Sequence, residues 1–164
     1  MDEDEIDFAI AAWREEGRWS VAALPPKSAT SLSVFAAALR QLTAEGGAIG
    51  FVAVDEEFFL AVRVTPDGST RVVLSDLNAA YEWSIAEEAA ELLEIELPED
   101  EDEIDEVEPV GDLTLFADLG MALDEMELTL GDPHLYPDEQ VAAIAARVGF
   151  ADQLAAALEA LQKD

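Results

Sequence analysis

One stretch constrains the fold of this chain more than any other: Gly46 to Asp76, which reads GGAIGFVAVDEEFFLAVRVTPDGSTRVVLSD. Val52 and Val54, then Phe58, Leu60, Val62 and Val64, then Val72 and Leu74 recur at every second position. Successive side chains of a strand point to opposite faces, so this period puts all eight on one face of a sheet. Asp55-Glu56-Glu57 and Pro66-Asp67-Gly68 separate the three runs. Proline sets φ for the first central residue of a turn, and glycine accepts the positive φ that closes one. The segment therefore reads as a three-stranded antiparallel meander with one buried face.

The flanking segments extend that sheet. Asp7 to Trp13 and Arg18 to Leu24 form a hairpin across Glu15-Glu16-Gly17, with Trp19, Val21 and Ala23 on one face and Trp13 and Trp19 packing near the turn. Pro25-Pro26 ends the return strand because neither residue donates a ladder hydrogen bond. Ser31 supplies a hydroxyl to cap a helix whose Leu32, Phe35, Ala36, Leu39 and Leu42 make an apolar stripe. Gly46-Gly47 stops this helix. After Asp76, Asn78 caps a second helix running through Tyr81, Trp83, Ile85, Ala89, Leu92 and Leu93, with Glu87, Glu88, Glu91 and Glu94 on its wet face. The expected class is α+β: a five-stranded antiparallel sheet flanked by helices. Its ββαβββα order is similar to that of longin-like and profilin-like domains.

Leu97 to Gly111, LPEDEDEIDEVEPVG, is a block of like charge that repels itself and reads as an extended acidic linker. It lacks the spaced ligands and central glycine of a calcium loop. Beyond it come a short helix from Asp112 to Gly120, another from Leu123 to Leu130, a helix opened by Pro137 and ended by Gly149, and a last one from Asp152 through Leu161. Ala142, Ala143, Ala146 and Ala155 to Ala157 suit close helix approach. The domain expectation is thus a sheet domain over 1–96, a linker over 97–111 and a small helical unit over 112–164.

Charge narrows the function classes. The chain holds 38 acidic residues against 8 basic ones, a formal charge of −30. Phosphate backbones and anionic lipids repel such a surface, which argues against direct nucleic-acid or membrane binding. Two readings of the charge stand side by side: solubility, or docking onto a basic partner. Cysteine is absent, which removes disulfides, thiolate metal sites and a cysteine nucleophile. The acidic N-terminus has the wrong sign for a secretory or transit peptide, and no apolar run is long enough to span a bilayer, so a cytoplasmic location is expected. His134 is the one imidazole, set between Pro133 and Leu135 in a loop, and reads as a turn residue. Asp55, Glu56, Glu57 and Asp76 crown one sheet edge and read as solvated turn acids, with Asp76 capping the segment after it. No catalytic, cofactor or metal constellation emerges.

The aromatics say more. Alternation buries Phe58 and turns Phe59 to the other face, where it needs a second surface: a flanking helix, a homodimer mate or a partner. Phe59, Ile104, Val107 and Tyr136 are accordingly the nominated partner contacts.

Several segments taken together resemble a known family. VDEEFFLAVRV (54–64), LSDLNAAYEWSIA (74–86), GDLTLFADLGMALDEME (111–127) and DPHLYPDEQVAAIAARVGF (132–150) are similar to the actinobacterial tRNA adenosine deaminase-associated proteins, with the Leu135 to Glu139 stretch the most specific part. The resemblance implies association with the enzyme that converts the wobble adenosine to inosine, and it carries over no catalytic residues. Zinc deaminase chemistry needs a His-x-Glu and a Pro-Cys-x-x-Cys. A chain without cysteine is not that deaminase. The resulting expectation is a non-enzymatic accessory protein binding a basic partner, the deaminase or its tRNA-binding surface. The alternative is a homodimeric structural or assembly module.

Overall fold

A computed structural model describes residues 3–42, 47–100 and 106–162. Strands β1 (Ile6–Glu15) and β2 (Arg18–Ala23) form the N-terminal hairpin, pairing Glu15 with Arg18 across two residues. Those two, Glu16 and Gly17, sit at φ 51° and 78°. Positive φ at both centres is the tight-turn geometry whose twist matches that of the strands. Strand β3 (Ala48–Val54) returns along the other side of β1, and β4 (Phe58–Val64) and β5 (Thr70–Leu74) complete the meander.

The sheet has six strands, in the order β2-β1-β3-β4-β5-β6, where five were expected. The sixth, β6 (Val110–Gly111), is the tail of the acidic segment and pairs antiparallel with Val73 and Leu74. Two residues give no periodicity to read, so the strand is invisible in the sequence. Its glycine is required by contact: at φ 115°, a Cβ on Gly111 would lie 2.2 Å from the Val72 carbonyl oxygen.

Helices α1 (Leu32–Arg40) and α2 (Ser84–Leu92) cover one face of the sheet. Phe35 and Leu39 of α1 and Ile85, Ala86 and Ala89 of α2 pack on Val52, Phe58, Leu60, Val62 and Leu74. Gly50 makes the α1 contact close, since a Cβ there would lie 2.5 Å from the Phe35 ring. Two local expectations are corrected. The Ser31 hydroxyl makes no cap bond; the Glu88 carboxylate reaches from α2 to the Leu32 amide at 2.9 Å and accepts the Ser31 hydroxyl at 3.2 Å. A charged acceptor from a neighbouring helix thus replaces the local cap. Asn78 does not cap the helix; Asp76 caps the segment after β5, as its own position suggested, and opens a 3₁₀ turn over Leu77–Tyr81 before α2 begins at Ser84.

The meander does not have one buried face; it has two. Helices α3 (Leu123–Leu130), α4 (Pro137–Val148) and α5 (Ala151–Gln162) pack on the opposite side. There Phe8, Ile10, Phe51, Phe59 and Val73 meet Phe116, Met126, Val141, Ile144, Phe150 and Leu154. Phe51 is the hub, with ring centroids 6.3, 5.9 and 6.2 Å from Phe59, Phe116 and Phe150. Trp13 and Trp19 fall on opposite faces instead of packing together: Trp13 joins the α1–α2 side, while Trp19 lies 5.1 Å from Phe150. Residues 112–120 form turns with a short 3₁₀ segment, Ala117–Leu119, in place of the expected helix. Ala142, Ala146, Ala155 and Ala156 are exposed, so helix approach here rests on Ala145, Val148 and Leu154.

Candidate partner-binding groove

The register separates charge along the strands. Ile6 lies opposite Val54, Val54 opposite Phe58, and Leu74 opposite Val110, so one end of the sheet gathers the β1 start, the β3–β4 turn and the chain after β5. That end carries Glu5, Asp7, Asp55, Glu56, Glu57, Asp76, Glu106 and Glu108. The β3–β4 turn there holds Asp55 and Glu56 at φ 48° and 54°, a conformation favouring glycine or asparagine. Two contacts hold it: the Asp55 amide donates to the Glu5 carbonyl at 2.9 Å, and the Glu56 amide to the Asp7 carboxylate at 2.8 Å. Asp55 suits this conformation, while Glu56 stands where such a turn would favour glycine.

Between this turn and the loop leading into α4 lies a groove of about 640 Å³. Glu56, Glu57, Asp76, Glu106 and Asp132 line it, and among the described residues no lysine or arginine does. Its apolar lining includes Val107, Leu130, Leu135 and Tyr136. A second hollow of about 250 Å³, lined by Asp7, Phe8, Asp138, Leu158 and Leu161, shares Glu56 with the first. The Asp132 carboxylate also accepts the His134 amide at 2.9 Å, and the Glu139 carboxylate accepts the Tyr136 amide at 3.1 Å, which fixes the loop and caps α4. His134 itself is exposed and is not among the groove-lining residues.

Of the four nominated contacts, the structure brings two together. Val107 and Tyr136 line the groove, 62% and 60% exposed. Phe59 is fully buried against this chain's own second helical layer, which supplies the surface its alternation demanded. Ile104 lies outside the described residues. Sequence reasoning missed the groove as such, because it joins four segments far apart in the chain. The legible signal was the acidic turn Asp55-Glu56-Glu57, with Glu56 where glycine is usual.

The opposite end of the sheet is electrically different. Arg14, Arg18, Arg63, Arg71 and Arg40 cluster there, Arg40 through its bond to the Thr70 hydroxyl at 2.9 Å. Arg63 and Arg71 face each other across β4 and β5, an arrangement that repels unless bridged. Asp118 binds Arg63 at 2.5 and 2.9 Å, Asp112 binds Arg71 at 3.1 Å, and the Leu115 carbonyl accepts from both at 2.8 and 3.3 Å. The hydrogen bond from Arg63 holds the Asp118 carboxyl below its ordinary range, against the effect of partial burial. Burial works against ionisation of Asp112, but the Thr114 hydroxyl and amide together with Arg71 outweigh it and its carboxyl also titrates low. Arg147 pairs with Glu125 between α4 and α3, and that bond lowers the Glu125 carboxyl. Arg63 and Arg71 thus fasten the lead-in of the C-terminal layer to the sheet, and Arg147 joins two helices within that layer.

Among the described residues no three carboxylate or imidazole groups converge as a metal site, and no helix is long and apolar enough to cross a membrane. The groove offers hydrogen-bond acceptors, negative charge and apolar floor, a set suited to recognition. No solved structure matches this chain. Protein Rv3753c of Mycobacterium tuberculosis (strain ATCC 25618 / H37Rv) is 43% identical over 155 residues, covering 94% of this chain and 88% of that protein. The model of the Rv3753c-like tRNA adenosine deaminase-associated proteins matches residues 7–151, and the chain belongs to that family.

Proposed function

We propose that this protein is a non-enzymatic cytoplasmic accessory factor that works by docking a basic partner, the tRNA adenosine deaminase, through its acidic groove. The observation that carries the reading is the groove itself: five carboxylates around an apolar floor that includes the exposed Val107 and Tyr136, with no cation in the lining among the described residues. Acidic rims steer encounter and select a cationic surface, while apolar anchors near the centre supply most of the affinity. The family description supports the identity of the partner. A net charge of −30 disfavours contact with the tRNA phosphates directly.

The test is co-purification of the tagged full chain with the deaminase at low and high salt. Retention that weakens as salt rises is expected, because rim pairs are screened beyond roughly 8–10 Å at physiological ionic strength. Failure to recover the deaminase at any salt would remove it as the partner. The homodimeric alternative has less support, since both sheet faces are covered by this chain's own helices. Sedimentation as a dimer at micromolar concentration would restore it.

A further inference from the structure

The floor of the groove carries a second, independent feature. Gln140, only 6% exposed, lines it, and its amide nitrogen donates to the carbonyls of Thr129 and Leu130 at 3.2 and 3.4 Å. Those bonds fix the side chain and close the end of α3. They leave the Gln140 amide oxygen without a donor among the described residues, and that oxygen is not sealed in: the one fully buried side-chain polar atom without a partner among the described residues is Arg63 Nε, at the other end of the sheet. Ser75, 3% exposed, lines the same groove; its hydroxyl accepts the Phe59 amide at 2.8 Å and retains its own hydrogen to donate. A fixed acceptor and a fixed donor on an apolar floor match the two groups that every residue of an extended peptide presents.

From this geometry we infer that the groove binds an extended, alternately cationic and apolar peptide segment. Side chains of a strand alternate. One set of residues therefore reaches the carboxylates of Glu57, Glu106 and Asp132 while the other set rests on Val107 and Tyr136. The backbone between them is met by Gln140 and Ser75. Charge complementarity selects the occupant: among the described residues the lining holds five carboxylates and no cation, so an acidic or neutral strand gains nothing at the rim. The inference deepens the accessory-protein reading and rests on it for its setting, since the segment would belong to the basic partner.

The probe is a fluorescein-labelled peptide of alternating lysine and leucine, read by fluorescence anisotropy against the full chain. Three altered peptides separate the contributions: glutamine for lysine, serine for leucine, and N-methylation at alternate residues. Each is expected to bind less well, the N-methylated one by about fivefold for lost backbone bonds. On the protein side, Glu57→Lys with Glu106→Lys is compared with Glu87→Lys and Glu91→Lys on the exposed face of α2, which changes the net charge equally. About tenfold weakening from the first pair and less than twofold from the second is expected. Equal weakening by both pairs would mean diffuse attraction to an acidic surface and would overturn the inference. So would undiminished binding of the serine or N-methylated peptide. The peptide result is independent of the co-purification: a groove that binds the probe in a protein that never recovers the deaminase overturns the partner's identity and leaves the site standing.

Discussion

Phe59 is the residue at which two architectures part. If its ring were a docking contact, truncating it would leave the isolated protein nearly unchanged, within the ±0.5 kcal/mol usual for surface substitutions. Here the ring is fully buried 6.3 Å from Phe51, beneath a helical layer that also holds Phe116 and Ile144. Phe59→Ala then removes buried area and leaves a cavity that a close-packed aromatic cluster fills poorly. The cost is about 3–5 kcal/mol. Against a total of about 5–15 kcal/mol that is a large share, lowering Tm by about 10 °C in a chain of this size. Phe58→Ala, which loses a ring 5.3 Å from Trp83 on the other face, gives the internal comparison. Urea denaturation followed by tryptophan fluorescence measures both. A loss below 1 kcal/mol for Phe59→Ala, with a normal loss for Phe58→Ala, would refute the claim that the C-terminal helices seal that face.

Two further outcomes rest on the charges. Asp118→Ala is expected to cost about 2 kcal/mol, because it leaves the almost buried Arg63 guanidinium with the Leu115 carbonyl as its remaining partner, whereas Arg63→Met is expected to change stability by less than about 1 kcal/mol; chemical denaturation of the two variants decides it, and equal losses would refute the asymmetry. Asp112, Asp118 and Glu125 titrate below their ordinary values, and Asp67 falls from 3.8 to about 2 through hydrogen bonds from the Thr65 hydroxyl and the Ser69 amide. A carboxyl whose pKa is lower in the folded state stabilises above its unfolded value and loses that contribution as pH falls through the folded one. The acid limb of a stability–pH curve should therefore lie between about pH 4 and pH 2, and Asp112→Asn with Asp118→Asn should flatten it.

The strands of the meander were legible because their residues repeat locally and their turns have a chemistry of their own. The hairpin, α1, α3 and α4 were legible for the same reason. What failed to show was whatever depends on distant partners. Glu88 reads as a wet-face residue of α2 until α1 lies beside it, and then it becomes the acceptor for the Leu32 amide. Val110 and Gly111 read as the end of a linker until β5 offers them an edge. The strands alternate so regularly that one buried face looked sufficient, although the opposite set (Phe51, Phe59, Ala61 and Val73) is equally apolar and demands a second cover. Of the groove, Val107 and Tyr136 were found by exposure, and Glu56, Glu57 and Asp76 were grouped at one sheet edge, though as solvated turn acids. The buried polar pair, Gln140 and Ser75, carried no local signal.

Arg63 explains how a chain of charge −30 comes to have a directional surface. A cation one residue from the end of FFLAVRV must find partners when the strand is buried, and it finds them in Asp118 and the Leu115 carbonyl. Arg71 and Arg147 are held in the same way by Asp112 and Glu125. Two of the eight cations, Arg63 and Arg71, therefore serve to fasten the lead-in of the C-terminal helices to the sheet, both toward one end of it, while Arg147 ties α4 to α3. The charged groups that line the groove at the other end are, among the described residues, carboxylates alone. Net charge by itself would attract any polycation at a rate set by ionic strength, without choosing among them. Choice requires contacts that desolvate, and Val107, Tyr136, Gln140 and Ser75 are the groups placed to make them. Discrimination among basic partners should therefore survive at salt concentrations that slow their encounter.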